Sequence, residues 1–364
     1  MIPLTVLILL LAAVYLYSFF LRALLFWFKN ARKAVLRIIS AVISLCLAAS
    51  CLNFYSVMAV VLLYLVLTAL FTDLICLIVR IAHKRGSRFD AVLRCGIVPI
   101  VLTAAILFLG YFNIMNVRQT DYSITTSKNI RDEGYRIALI SDLHFGTTFD
   151  VQALEDYCAE ISDLNPDIVI LCGDIVDERT TFEEMQSAFA SFGQIQSTYG
   201  AFFVYGNHDR ALYTDSPNFS VAELESAITS SGITIIEDDV ISINDEIVLV
   251  GRQDRSFGSR RSTDELLSEV NRDNFILLLD HQPVDFSENI DSGVDLQLSG
   301  HTHNGQIWPL GLFSRILNIT DLVYGYCEID NFQAITSSGM AGWGYPIRTQ
   351  GRSEYVIIDI NPGG

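Results

Sequence analysis

Five of the six histidines in this 364-residue chain stand in or among short runs of Asp, Asn and Gly. In order the runs are Asp142-Leu143-His144, Gly173-Asp174, Gly206-Asn207-His208-Asp209, a single His281 and Gly300-His301-Thr302-His303. Imidazole is the commonest metal ligand and titrates near neutral pH. An Asp and a His separated by one residue in a loop can face one cation. Gly173 lets the backbone turn sharply and bring the Asp174 carboxylate inward, where its two oxygens could bridge two metals. Asn207 offers a neutral oxygen, and His301 and His303 fall on one side of an extended segment. Mixed oxygen and nitrogen donors suit Mn, Fe or Zn rather than calcium. Taken singly, Asp-x-His reads as a solvated loop and Gly-Asp as a turn. The five together, in this order, point to a metal site.

The elements that would hold these residues alternate along the chain. Apolar runs of strand length are expected at Arg136–Ser141, Ile168–Cys172, Ala201–Tyr205, Asn274–Asp280 and Asp295–Ser299. Each ends at one of the candidate motifs. Helical spacing is expected over Asp150–Asp163, Phe182–Gln194 and Val221–Ser230. Shorter strands are expected at Thr234–Glu237, Val240–Ile243, Ile247–Val250, Leu322–Cys327, Ala334–Thr336 and Tyr355–Ile360. Ligands just past the C-terminal ends of strands are where open α/β sheets build sites.

Residues 1–113 are different. Apolar stretches at about Ile2–Leu21, Ile38–Phe54, Tyr55–Val79 and Cys95–Asn113 are each near the ~20 residues that cross a bilayer as a helix. The expected division is 1–113 as four transmembrane helices, 114–134 as a stalk and 135–364 as a soluble α/β domain. Of 24 Lys and Arg, 10 fall in 1–113 against 2 of the 41 Asp and Glu. The remainder, 14 basic and 39 acidic, gives residues 114–364 a net charge of −25. The basic residues cluster at Arg22, Lys29, Arg32, Lys33 and Arg37, and at Arg80, Lys84, Arg85, Arg88 and Arg94. Basic short loops stay in the cytoplasm, so the N-terminus and the acidic domain are expected on the extracytoplasmic face of the cell membrane. The first span lacks the basic leader of a cleavable signal and is followed by three more, which argues against a signal peptide. So acidic a domain excludes nucleic acid held through phosphate contacts. Only Cys158, Cys172 and Cys327 of the seven cysteines lie beyond the spans, and they offer no disulfide framework. Cys172, at the end of an apolar strand, is expected as a buried thiol.

With its motifs in place, the chain resembles the calcineurin-like metallophosphoesterase superfamily, over about residues 135–360. The likeness extends to Asn165-Pro166-Asp167, Gly305-Gln306 and Pro309. It reaches the tail at Gly339-Met340-Ala341-Gly342, Pro346-Ile347-Arg348 and Glu354. The spans resemble those of transmembrane proteins that carry such a domain. The resemblance implies a four-layer αββα sandwich after the four helices. It implies two divalent metals, manganese first with iron or zinc as alternatives. Asp142, His144 and His303 would hold one metal, Asn207, His281 and His301 the other, and Asp174 would bridge them. His208 would face the substrate, oriented by Asp209. Asn304 stands where many relatives have Gly.

Two cations ~3.5–4 Å apart acidify a water between them and neutralise charge on phosphate oxygens. A histidine beside them can protonate the leaving oxygen. The expected activity is hydrolysis of a phosphoester, a phosphodiester first, from a lipid or the cell envelope. The other reading is a metal-binding sensing or scaffolding module with little turnover, the spans being the working part. Four further residues carry open readings. Asp177 is a candidate neighbour of the site or a surface carboxylate. Arg348 is a phosphate contact or, by preference, a salt bridge. Trp308 and Trp343 line the site or the core. Asp73, costly in a span, is expected to pair with a basic residue, and His83 reads as a solvated loop residue.

Overall fold

The computed structural model describes residues 2–53, 56–83, 92–93 and 95–363. They fall into two compact units, Met1–Gly110 and Tyr111–Gly364. The basic residues Lys84, Arg85, Arg88 and Arg94, and residues 54–55, lie outside the described residues.

The first unit contains helices α1 (Ile2–Trp27), α2 (Lys33–Ser50), α3 (Val57–His83) and most of α4 (Ile97–Met115). Each is long and apolar enough to cross a membrane. Their apolar side chains are widely exposed, as a lipid solvent would permit. Asp73 on α3 accepts from Tyr15 at 2.9 Å and pairs with Arg22 on α1 at 2.6 Å. The basic partner expected for Asp73 is therefore Arg22. His83 ends α3 rather than standing in a loop.

The second unit is built on two six-stranded sheets. Its first strands and helices are β1 (Arg118–Thr126), β2 (Tyr135–Ile140), α5 (Val151–Asp163), β3 (Ile168–Cys172), α6 (Phe182–Phe192), β4 (Ala201–Val204), α7 (Val221–Ser230) and β5 (Ile233–Ile235). Then come β6 (Asp239–Ser242), β7 (Ile247–Gly251), α8 (Thr263–Leu266), β8 (Phe275–Leu279), α9 (Phe286–Asp291) and β9 (Leu296–Ser299). A 3-10 turn at His303–Gly305 leads to α10 (Leu310–Ile316), and β10 (Gly325–Ile329), β11 (Phe332–Thr336) and β12 (Glu354–Pro362) close the chain.

One sheet runs β1-β12-β2-β3-β4-β5 and the other β10-β11-β9-β8-β7-β6. Strand alternation sorts the apolar side chains into layers. Ile137, Leu139, Ile170 and Ile358 of the first sheet meet Leu249, Leu277 and Leu298 of the second in one buried cluster. The opposite residues of the first sheet, Ala138, Val169 and Phe203 among them, pack under α5, α6 and α7. Val248, Ile276 and Leu278 of the second sheet pack under α8 and α9 with Phe286. The result is the αββα order, with sheets buried on both faces and hence strands that read as continuous apolar runs.

The helices start where their caps dictate. Thr181 and Glu184 form a capping box on α6, as do Ser220 and Glu223 on α7. Asp150 caps α5 by accepting from Ala153 N–H.

The segment expected as a stalk contributes β1, which pairs in parallel with β12 from Arg118↔Glu354 to Thr126↔Pro362. Its alternation of Thr120, Tyr122, Ile124 and Thr126 is strand-like, but only Ile124 and Thr126 are buried. An edge strand with one wet face carries too few apolar residues to announce itself by hydropathy.

Candidate metal centre

Asp142 and His144 follow β2, Asp174 follows β3, Asn207 and His208 follow β4, His281 follows β8, and His301 and His303 follow β9. Parallel pairing of β2, β3 and β4, and of β8 with β9, puts these loops at one end of both sheets. The loops are held in unusual backbone. Asp142, His144, Asp174, His301 and His303, five of the seven candidate ligands, have φ between 43° and 69°. Such conformations cost free energy and persist where surrounding structure imposes them, which is commonly at functional sites. Gly173 takes φ +78°, and a Cβ there would come within 2.6 Å of His281 Nδ1, so close approach demands glycine. Asn304 also has φ +51°, which explains how Asn stands in a glycine's place, since Asn tolerates the left-handed region.

Two groups of donor atoms result: Asp142, His144 and His303, and Asp174, His281 and His301. In the first, the Nε2 atoms of His144 and His303 face each other at 3.3 Å, and Asp142 Oδ1 is 3.4 Å from His303 Nε2. In the second, His281 Nε2 is 3.1 Å from Asp174 Oδ2, and His301 Nδ1 is 2.9 Å from Asn207 Oδ1. Asp174 Oδ2 also lies 3.8 Å from His144 Nε2, so this oxygen stands between the groups. The donor set fits divalent metals on a chemical observation. His281 Nδ1 lies 2.8 Å from the Cys172 carbonyl, and an Nδ1–H donating there leaves the Nε2 lone pair directed at Asp174. His281 Nε2 is buried against the Asp174 carboxylate, where a cation would take the place of the proton that the carboxylate favours.

The carboxylates are oriented by backbone. His208 N–H donates to Asp174 Oδ1 at 2.8 Å, and His301 N–H donates to Asp142 Oδ1 at 2.9 Å. Burial pushes the Asp142 carboxyl up. Burial also raises Asp174, but the charges of His281, His144 and His208 outweigh it and hold that carboxyl well below the usual range. Burial pulls the His281 imidazole down, and Asp174 and Asp142 more than reverse this, lifting it well above the ordinary value. Burial, with His281 beside it, lowers His301 to about 4, and burial with His144 holds His303 well below the ordinary imidazole value. His301 and His303 are therefore neutral, the form that binds metal.

His208 lies at the edge of both groups, its ring 5.3 Å from that of His144. Asp209, expected to orient it, does not. The Asp209 carboxylate accepts from the backbone N–H groups of Asp174, Ile175, Val176 and Gly206 at 2.6–3.1 Å, tying the loop after β3 to the loop after β4. The side chain that meets His208 is Glu178, both of whose carboxylate oxygens are 3.0 Å from Nδ1. Burial lowers the His208 pKa, and Glu178 with Asp174 reverses this and raises it. No ligand motif marks Glu178. Its only signal is its position four residues past Asp174.

Asp177 is buried rather than on the surface, with Oδ2 3.3 Å from His144 Nδ1. Arg348 is wholly buried and neither bridges a carboxylate nor meets the donor groups. Its Nη1 donates to the His303 carbonyl at 2.8 Å and its Nη2 to the Ala341 carbonyl. Gln306 Nε2 likewise donates to the carbonyls of Trp343, Tyr345 and Ile347. These bonds tie the tail 341–348 to the ligand loop. Trp343 lies with its ring 5.2 Å from His208, and Tyr213 lies 4.9 Å away on another side. Trp308 is half exposed, in neither core nor site. Cys172 is buried, as expected, and burial pushes its thiol well up.

Residues 135–305 match the calcineurin-like phosphoesterase family. Over that segment the chain is similar to calcineurin-like metallophosphoesterases. It is 30% identical over 236 residues to an uncharacterized metallophosphoesterase of Helicobacter pylori, covering 64% of this chain and 61% of that protein. It is 27% identical over 285 residues to a transmembrane protein with metallophosphoesterase domain from Danio rerio, covering 73% and 62% of the two chains. It thus spans about three fifths of the length of these relatives. Among solved structures, a dimetal phosphatase from Danio rerio superposes with a TM-score of 0.42 at 14% identity, over 63% of this chain and 99% of that one.

Proposed function

We propose that this chain is a membrane-anchored phosphoesterase working with two divalent metal ions. The observation that carries the reading is the pair of three-donor groups meeting at Asp174 Oδ2, with His208 beside them. In this reading Asp142, His144 and His303 hold one ion, Asn207, His281 and His301 hold the other, and Asp174 is shared. Bound there, the ions supply Lewis acidity and a water acidified toward neutral pH.

The chain's own residues do the rest. His208, its pKa raised by Glu178, donates a proton to the leaving oxygen of the ester. Asp177 holds the His144 ring in orientation through Nδ1, as outer carboxylates do for metal-binding imidazoles. Trp343 and Tyr213 flank the His208 ring.

A phosphodiester, drawn from lipid or the envelope, is the substrate this reading favours, and manganese the first metal. The support is a site on a chain with four helices long enough to span a bilayer. The basic connections of those helices support an extracytoplasmic position for the acidic domain.

The test is hydrolysis of an aryl phosphodiester and its monoester by the metal-stripped chain, before and after Mn²⁺ loading, beside Asp174→Asn. Metal-dependent turnover lost in the variant supports the enzyme. Two bound metals without turnover on either ester would favour the sensing module instead.

A further inference from the structure

Seven large apolar side chains between Trp308 and Ile319 are 46–67% exposed. Elsewhere from β1 onward, such side chains come singly or as the pair Leu212 and Tyr213. A contiguous apolar patch on an otherwise well-packed domain marks an interaction surface. The local charge is unusual too. No Asp or Glu lies between Asp295 and Asp321, in a domain holding most of the chain's 41 acidic residues, and Arg315 is the sole charged residue of 308–319.

The patch is a built element. Buried Gly311 on α10 packs against the 303–305 turn so closely that a Cβ would come within 2.7 Å of the Asn304 carbonyl. Arg315 Nη2 reaches Asn304 Oδ1 at 3.4 Å. The helix is thereby fixed to the loop carrying His303, while Leu312, Phe313 and Ile316 remain outward.

We propose that Trp308–Ile319 is a lipid-docking surface, which seats in the headgroup boundary of a bilayer and brings the metal site to a phosphodiester presented there. Three observations select lipid as the occupant. A short helix bearing Leu, Phe and Ile outward, with Trp and Arg at hand, has the composition of interfacial segments. An acid-free patch on an acidic domain is the face that anionic headgroups repel least. The apolar helix α4 ends at Met115, two residues before β1, so a bilayer is the surface held at high effective concentration. The docking stands on these observations, and only its link to catalysis rests on the phosphoesterase reading.

Two arms test it on the full chain, reconstituted in vesicles of phosphatidylcholine with a minority of phosphatidylglycerol. The first reads the Trp308 emission, taken as the difference from Trp308→Phe, against acyl-brominated lipid and aqueous iodide. Docking predicts quenching by the brominated lipid and shielding from iodide. Quenching by iodide alone means the patch faces water and overturns the proposal. Shielding from both means that protein covers it, a second copy or another partner, and also overturns it.

The second arm compares the triple variant Leu312→Ser, Phe313→Ser, Ile316→Ser with the parent. Docking predicts a fall of at least ~10-fold in kcat/KM for a phospholipid diester in vesicles, with a soluble aryl diester kept within about twofold. An equal effect on both substrates removes the role in substrate delivery. If the metal-loaded parent hydrolyses neither, the phosphoesterase reading fails, and the fluorescence arm still decides docking.

Discussion

His208 and Glu178 sit 3.0 Å apart, and the contact sets a testable pH dependence. The raised pKa keeps His208 protonated to higher pH than an ordinary imidazole. A proton donor works below its pKa, so activity falls as pH rises through it. Glu178→Gln removes the largest upward influence and should move the alkaline limb of the kcat profile to lower pH, with metal content unchanged. An unmoved limb would separate Glu178 from the proton donor. Asp209 has a different job. Burial and the nearby Asp174 push its carboxyl up to about 7, while it still collects four backbone N–H groups. Asp209→Asn turns an NH₂ toward those donors, and the expected loss is about 1–3 kcal/mol. Thermal unfolding of the metal-loaded protein measures it, and an unchanged midpoint would contradict the role. The candidate ligands could be read because five such motifs follow apolar strands in one order, although each alone reads as a loop or a turn. Glu178 and Asp177 could not, since a carboxylate outside a motif looks the same on a surface as beside an imidazole.

At the scale of elements, β1 decides where the second unit begins. It covers one side of β12 along nine residue pairs and buries Ile124. A piece beginning at Asp121 loses the first third of this strand and exposes that part of the β12 edge, a template for association. That piece should aggregate, on size-exclusion chromatography, where one beginning at Tyr111 does not. Ile124→Ala keeps the ladder and should cost about 2–5 kcal/mol by denaturant titration. The parallel strands β2, β3, β4, β8 and β9 were legible because burial on both faces makes them largely apolar. β1 and the helix α10 were not. The first is half wet, and the second is an apolar helix without a core to bury it.

For the whole molecule, the donor groups connect metal to stability. Binding to the folded state alone stabilises by about 2.7 kcal/mol at 100 times the dissociation constant. Chelation should therefore lower the unfolding midpoint of the second unit, and Mn²⁺ should restore it. A chelator-insensitive midpoint, in protein shown to have carried metal, would deny that the site ties its loops together. The proposed sidedness rests on charge and is open to a direct test. An impermeant thiol reagent should miss Lys29→Cys in intact cells and reach it after permeabilisation, relative to the parent. Labelling in intact cells would invert the topology.

The amino-acid sequence by itself determined the apolar parallel strands, the four apolar spans and the set of seven candidate ligands. These are written in local patterns: apolar runs, spacing and ligand chemistry. Only the tertiary structure decided which carboxylate serves which imidazole. It turned Asp209 to the backbone, set Glu178 on His208, and buried Arg348 against carbonyls. It also left α10 facing outward. Such pairings join residues far apart in the chain, through register and loop conformation, and nothing in the local sequence encodes which partner a side chain will find.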